Sequence, residues 1–89
     1  MIVVTEAALD VVRRSLELAG KDPSEMGVRL RVAGGAVRPR FADGPFEGDE
    51  VVETGGIRIF VARELAVGDI EIGVSEEHET LVVRRLESS

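Results

Sequence analysis

The chain has 89 residues and a net charge of −6, a length that predicts one domain with a thin core and favours a homo-oligomer. The negative charge, with no Trp or Tyr, argues against nucleic-acid partners, and the lack of cysteine excludes disulfides and thiolate metal sites. The N-terminus does not resemble a secretory signal, and no run approaches the ~20 apolar residues that span a bilayer. We therefore expect a cytoplasmic protein without a membrane partner.

The N-terminal third predicts a short strand followed by the longest helix. Residues 1–4 form an apolar run, and Thr5 is a typical helix N-cap residue. Apolar side chains recur at helical spacing at Leu9, Val12, Leu16 and Ala19. Gly20 is placed to end the helix, so the sequence predicts a helix over about 6–19 and a polar loop over 20–26.

Residues 28–41 predict a β-hairpin that turns at Gly34-Gly35, because tight hairpin turns need positive φ angles. With the two glycines at the centre of the turn, Val28 faces Phe41 and Val32 faces Val37. One face of the hairpin is then apolar. The other face, here called the arginine face, carries two opposed arginine pairs: Arg29 with Arg40 and Arg31 with Arg38.

The rest of the chain predicts short strands. An acidic, turn-rich stretch precedes Val51, where a further strand opens. Residues 57–62 predict a strand with both faces partly buried, and 63–67 predict a helical turn or a loop. Two more strands are expected over 69–74 and 80–86, with a frayed tail after them. The order is a strand, one helix and about five short strands, which is an α+β domain, mainly β, spanning residues 1–89.

The arginine face raises an electrostatic problem, because like charges directly opposite on a ladder destabilise it. One interpretation is an anion or partner site, since guanidinium groups bind carboxylate and phosphate through paired hydrogen bonds. The other is structural: the arginines are neutralised within the protein or lie in a subunit interface. The candidate internal partners are glutamates near or on neighbouring strands, namely Glu50, Glu53 and Glu71.

Several segments, taken in order, resemble the HesB/IscA-like family, the A-type carriers of iron–sulfur cluster assembly. They match the family's opening strand and capped helix, its Gly-Leu-Arg strand, its acidic loop with the next strand, and a later strand. In this chain these are residues 2–8, 27–32, 49–53 with 56–61, and 69–72. The resemblance implies the HesB-like fold, with short strands in mixed sheets and one N-terminal helix.

The chain departs from this family at the residues that carry its chemistry. Members place a cysteine just after the glycine turn, and that position corresponds to Val37 here, followed by Arg38-Pro39. Members also end in a Cys-x-Cys segment that this chain does not contain. Cysteine thiolates are the ligands that hold iron–sulfur clusters. The resemblance therefore implies a lost cluster-ligand position at Val37, which the hairpin register turns toward the core.

No other part of the sequence predicts a catalytic or metal site. The acidic loop, residues 43–53, holds five carboxylates but lacks the spacing of a calcium-binding loop, so a solvated loop is expected. His78 lies in a polar turn and is expected to be exposed. None of Ser15, Ser24 and Ser75 has an identifiable base partner.

We therefore expect a non-catalytic protein without a cofactor that has lost cluster binding. Its expected role is that of a protein-interaction or scaffold domain, connected with iron–sulfur assembly by resemblance alone. The expected partner is another protein or a second copy of the chain. The alternative is a small anion- or ligand-binding module that uses Arg29, Arg31, Arg38 and Arg40. An enzyme is the weakest of the three hypotheses.

Overall fold

The computed structural model describes residues 1–77 and 79–86, which form one helix and seven strands. His78 and the predicted frayed tail, 87–89, lie outside the described residues. The fold is α+β and mainly β, as predicted, although six strands follow the helix rather than about five. The elements are β1 Ile2–Val4, α1 Glu6–Leu18, β2 Gly27–Ala33, β3 Ala36–Ala42, β4 Glu50–Thr54, β5 Ile57–Val61, β6 Ile70–Val74 and β7 Leu81–Arg85.

Both ends of α1 are fixed by local hydrogen bonds. Thr5 is the N-cap, and its Oγ1 accepts a hydrogen bond from the Ala8 amide at 3.1 Å. At the other end Gly20 has φ 67°, and the Lys21 amide donates to the Leu16 carbonyl at 2.8 Å. This left-handed C-terminal cap ends the helix at the predicted glycine and fixes the backbone position of Lys21.

The buried face of α1 differs slightly from the predicted one. Ala8, Val12 and Leu16, spaced four residues apart, are fully buried. Leu9 is only partly buried, and Ala19 is exposed because the helix has already ended at its C-cap. The apolar stripe was therefore predicted correctly in its centre, but it begins at Ala8 and not at Leu9, and it ends at Leu16 and not at Ala19.

The strands form two mixed sheets. The first has the order β1-β6-β7, with β1 parallel to β6 and β7 antiparallel to it. The second has the order β3-β2-β5-β4, with β2 and β5 parallel in its centre and antiparallel strands on either side. The β2–β3 hairpin thus lies at one edge of the larger sheet.

A single cluster of buried apolar side chains joins α1 to both sheets. Leu16 of the helix, Leu30 and Ile59 of the larger sheet, and Ile72 of the smaller one are members. On the opposite face of the larger sheet, Phe60 is also fully buried. As predicted for this strand, β5 therefore has buried side chains on both faces.

Candidate functional site

The β2–β3 hairpin has the predicted register. Val28 lies opposite Phe41, and Arg31 lies opposite Arg38. Gly34 and Gly35 have φ angles of 60° and 76°, which is the left-handed backbone that a type I′ turn requires. Because side chains alternate between the faces of a strand, the arginines of both strands share one face, as expected.

Arg29 is neutralised inside the protein by Asp49. Its Nε and one terminal nitrogen donate to the two Asp49 carboxylate oxygens at 2.8 and 3.0 Å. The Asp49 side chain is 1% exposed and that of Arg29 is 12% exposed. The guanidinium also lies over the Phe46 ring, with 4.1 Å between its central carbon and the ring centroid. The pair is two-pronged and largely shielded from water, the geometry that favours arginine over lysine.

The loop between β3 and β4 positions Asp49 through a tight turn. The Asp49 amide donates to the Phe46 carbonyl at 3.0 Å, and the Phe46 amide donates back to the Asp49 carboxylate at 2.8 Å. Gly48, the third residue of the turn, has φ 88°. The Arg29 guanidinium, assisted by the Phe46 amide, holds the pKa of Asp49 below its usual value of 3.8, although burial opposes this shift.

This lowered pKa predicts a pH-dependent contribution to stability. Asp49 should stabilise the fold fully above the pKa of an unfolded aspartate, about 3.9, and lose that contribution as pH falls through its lower folded pKa. The free energy of unfolding can be measured by urea denaturation from neutral to acidic pH. It should be higher for the wild type than for Asp49→Asn at neutral pH, and this difference should disappear below about pH 4. A difference in the free energy of unfolding between the two proteins that stays constant across this pH range would contradict the predicted linkage. Asp22, whose pKa is also lowered through hydrogen bonds from Ser24, is common to both proteins.

The predicted internal partners of the arginines were the wrong acids. Within residues 1–77 and 79–86, Glu50, Glu53 and Glu71 form no ion pair with the arginine face. Glu71 lies in the other sheet, with 3.7 Å between its Oε1 and a nitrogen of Arg84. The partner comes instead from the loop that was expected to be solvated, because the turn folds Asp49 back over β2.

The other three arginines differ from Arg29. Arg38 and Arg40 are exposed on the edge strand β3, and Arg31 is partly buried. None of the three has an ion pair in the described part of the chain. The Nε of Arg31 is buried and lacks a hydrogen-bond partner there. The arginine face therefore retains three positive charges that the described residues do not neutralise.

Val37, the position at which the family resemblance places a cysteine, is part of the hairpin's apolar face. It lies opposite Val32, is partly buried and packs against the core cluster. Its hydrocarbon side chain has no atom that can ligate a metal. With no cysteine anywhere in the chain, the residues present do not fit a thiolate-held cluster.

Two open hollows share lining residues on the edge strand β3, a feature that the sequence did not reveal. Together they are here called the edge groove, and Arg40 and Phe41 line both of them. One hollow, of about 330 Å³, reaches Val28 and Leu81. The other, of about 460 Å³, reaches Lys21, which lies 19 residues from Arg40 in sequence. No local pattern could have connected these two cations, because the helix cap and the hairpin bring them together.

The remaining candidate sites that fall within the described residues have no support in the structure. Among residues 1–77 and 79–86, no group of three or more acidic or histidine side chains could hold a metal ion. Two serine hydroxyls are used locally: Ser15 donates to the Val11 carbonyl and Ser24 to the Asp22 carboxylate. His78 lies outside the described residues. Within the described chain, no helix has the length and apolar character needed to cross a bilayer.

Comparisons by sequence and by structure give different results. No family profile matches the chain, and no curated protein matches it by sequence. Solved structures do match. Escherichia coli SufA, described as involved in the biosynthesis of iron–sulfur clusters, has 26% identity and a TM-score of 0.64, covering 93% of this chain and 81% of SufA.

Two further structures share the fold at lower identity. A protein from Aquifex aeolicus has 18% identity and a TM-score of 0.67, over 96% of this chain and 91% of that one. IscA, solved with a [2Fe-2S] cluster, has 16% identity and a TM-score of 0.53, over 96% and 85%. These similarities confirm the predicted resemblance: the chain is a structural relative of the HesB/IscA-like iron–sulfur carriers, and one that contains no cysteine.

Proposed function

We propose that this protein is a non-catalytic, cytoplasmic interaction domain that does not carry a thiolate-held cluster and acts in connection with iron–sulfur cluster assembly. The observation that carries the proposal is Val37. The family resemblance places a cysteine at this position, and the side chain here is a valine packed against the core. The connection with assembly is supported by the similarity to SufA.

The arginine face supports the interaction role. Arg31, Arg38 and Arg40 form a cationic surface at a sheet edge, while the chain as a whole carries a net charge of −6. Such a surface complements an acidic protein, and the acidic remainder of a second copy meets that description. Opposed like charges cost stability in an isolated hairpin, and an acidic partner would remove that cost. We therefore infer that the partner is an acidic protein surface, with self-association as its simplest form.

The variant Arg31→Glu distinguishes two hypotheses: that the arginines lie in an interface, and that they are an unneutralised, repulsive pair. If the arginines meet an acidic partner, Arg31→Glu should weaken self-association at least about fivefold, because it places a carboxylate against carboxylates. Light scattering over a concentration series, at low and high salt, measures this directly. Arg85→Glu, a charge reversal at an exposed position of β7, is the control and should leave the association constant unchanged.

A different outcome would contradict the proposed interface. A protein that is monomeric at every concentration, together with a higher melting temperature for Arg31→Glu, would show that the pair is simply repulsive. That outcome would remove the arginine face from the proposed interface. A colourless protein isolated from iron-supplied cells is expected in either case.

A second candidate is a small-anion site on the same face, favoured by the buried Nε of Arg31 that lacks a partner among the described residues. A ligand with useful affinity stabilises the folded protein by linkage. Thermal unfolding with phosphate, nucleotides or dicarboxylates at millimolar concentration should then show a rise in melting temperature that Arg31→Gln abolishes. An unchanged melting temperature with every ligand would exclude this candidate.

A further inference from the structure

The two hollows of the edge groove share Arg40 and Phe41 but differ in the rest of their lining. The hollow toward α1 and β7 is mostly hydrocarbon, with Val28, Pro39 and Leu81 around it. The hollow toward the 20–26 loop has Lys21 and Arg40 in its lining. Phe41, 39% exposed, lines both hollows. An apolar compartment thus adjoins a cationic one.

The net charge of the residues that line the cationic hollow indicates the charge of its ligand. Arg29 also lines it, but Asp49 neutralises that side chain. Lys21 and Arg40 have no ion pair in residues 1–77 and 79–86, and Asp43 is the carboxylate in the lining. Two free cations against one carboxylate leave a single net positive charge. This balance matches a monoanion better than a dianion such as a phosphate monoester.

We propose that the edge groove binds an organic monocarboxylate with an apolar body. The carboxylate accepts hydrogen bonds from Arg40 and Lys21, and the hydrocarbon lies beside Phe41 toward Leu81. Each hollow, about 330 and 460 Å³, falls within the range of small-ligand pockets, about 300–1,000 Å³. Desolvation of the apolar body supplies binding free energy, while the cations fix its orientation. The proposal does not rest on the proposed cluster-free interaction role.

Matched ligands separate the contribution of the carboxylate to binding from that of the apolar body. Octanoate has both the carboxylate and the apolar body, acetate has only the carboxylate, and octan-1-ol has only the body. Isothermal titration calorimetry with the full chain should give a Kd of about 0.1–1 mM for octanoate, within the range that ligands of this size reach. Acetate and octan-1-ol should each bind at least about tenfold more weakly, since each lacks one of the two contributions.

Matched variants place the ligand in the groove. Lys21→Gln and Arg40→Gln should each weaken octanoate binding about five- to tenfold, within the range for the loss of one typical hydrogen bond. Arg38→Gln is the control: Arg38 lies on the same strand and face, two residues from Arg40, but lines neither hollow. Its Kd for octanoate should equal that of the wild type.

Three outcomes would overturn the proposal. The first is an absence of octanoate binding at about 10 mM, far above the expected Kd. The second is equal affinity for octanoate and acetate, which would show general attraction to positive charge. The third is an equal loss in Arg38→Gln and Arg40→Gln, which would place the anion between these two arginines and not in the groove. None of these outcomes affects the proposed absence of cluster binding, which the iron content of the protein tests separately.

Discussion

Asp49→Ala should lower the free energy of unfolding by about 3 kcal/mol, the lower end of the range for breaking a buried ion pair. The expected cost is large because the variant leaves the Arg29 guanidinium, 12% exposed, without its carboxylate. It also removes the acceptor of the Phe46 amide, and with it one bond of the turn that covers β2. Urea denaturation monitored by circular dichroism measures the change.

Asp10→Ala is the matched control for this experiment. The Asp10–Arg13 ion pair has the same chemical groups, but its side chains are 67% and 43% exposed. Water screens such a pair, so its loss should cost less than about 0.5 kcal/mol. The double variant Arg29→Met/Asp49→Ala should be more stable than Asp49→Ala alone, because it also removes the guanidinium charge that Asp49→Ala leaves unpaired. Similar losses for Asp49→Ala and Asp10→Ala would contradict a buried, structural ion pair.

Gly27→Ala should cost about 2 kcal/mol, within the range for inserting a methyl group into a packed interior. A Cβ at this position would lie 2.5 Å from the Arg58 carbonyl oxygen and 2.9 Å from the Phe60 ring. The first of these contacts is backbone in the centre of the sheet, so it cannot rotate away as a side chain would. Gly27 is therefore required for space rather than for a positive φ angle.

Gly44→Ala provides the comparison, because a Cβ there would meet no atom within 4 Å. It should change the free energy of unfolding by no more than about 0.5 kcal/mol. The difference between the two alanine variants isolates the close approach of β2 and β5 from the general entropy effect of replacing glycine. Equal stability of the two variants would contradict the packing described at Gly27.

The features that the sequence predicted well are those fixed by local geometry. Gly34-Gly35 determines the hairpin register because a two-residue turn leaves one pairing, and every predicted pair from Val28 to Phe41 is present. Thr5 and Gly20 fix the helix ends for the same reason, through cap bonds within a few residues. Such elements were sufficient to predict the α+β class, whereas the HesB-like fold was predicted from the resemblance of several segments to that family.

The features that the sequence did not predict depend on contacts between distant segments. Asp49 lies 20 residues from Arg29. Nothing in the loop sequence distinguishes it from the other acidic residues there. Only the turn at Phe46, with Gly48 in a left-handed conformation, directs it inward. Gly27 was read as part of a family pattern, but the reason for it, the approach of Arg58 and Phe60, is tertiary. The edge groove likewise depends on packing between a helix cap and a strand.

The central claim is that a retained HesB-like fold has lost its cluster chemistry, and anaerobic reconstitution tests it most directly. The protein is incubated with ferrous iron, sulfide and a thiol, desalted, and analysed for bound iron, acid-labile sulfide and visible absorption. IscA, whose solved structure contains a [2Fe-2S] cluster, is the positive control. We predict iron and sulfide at background level and no visible absorption band. Stoichiometric iron and sulfide with thiolate-like or other charge-transfer bands would contradict the claim.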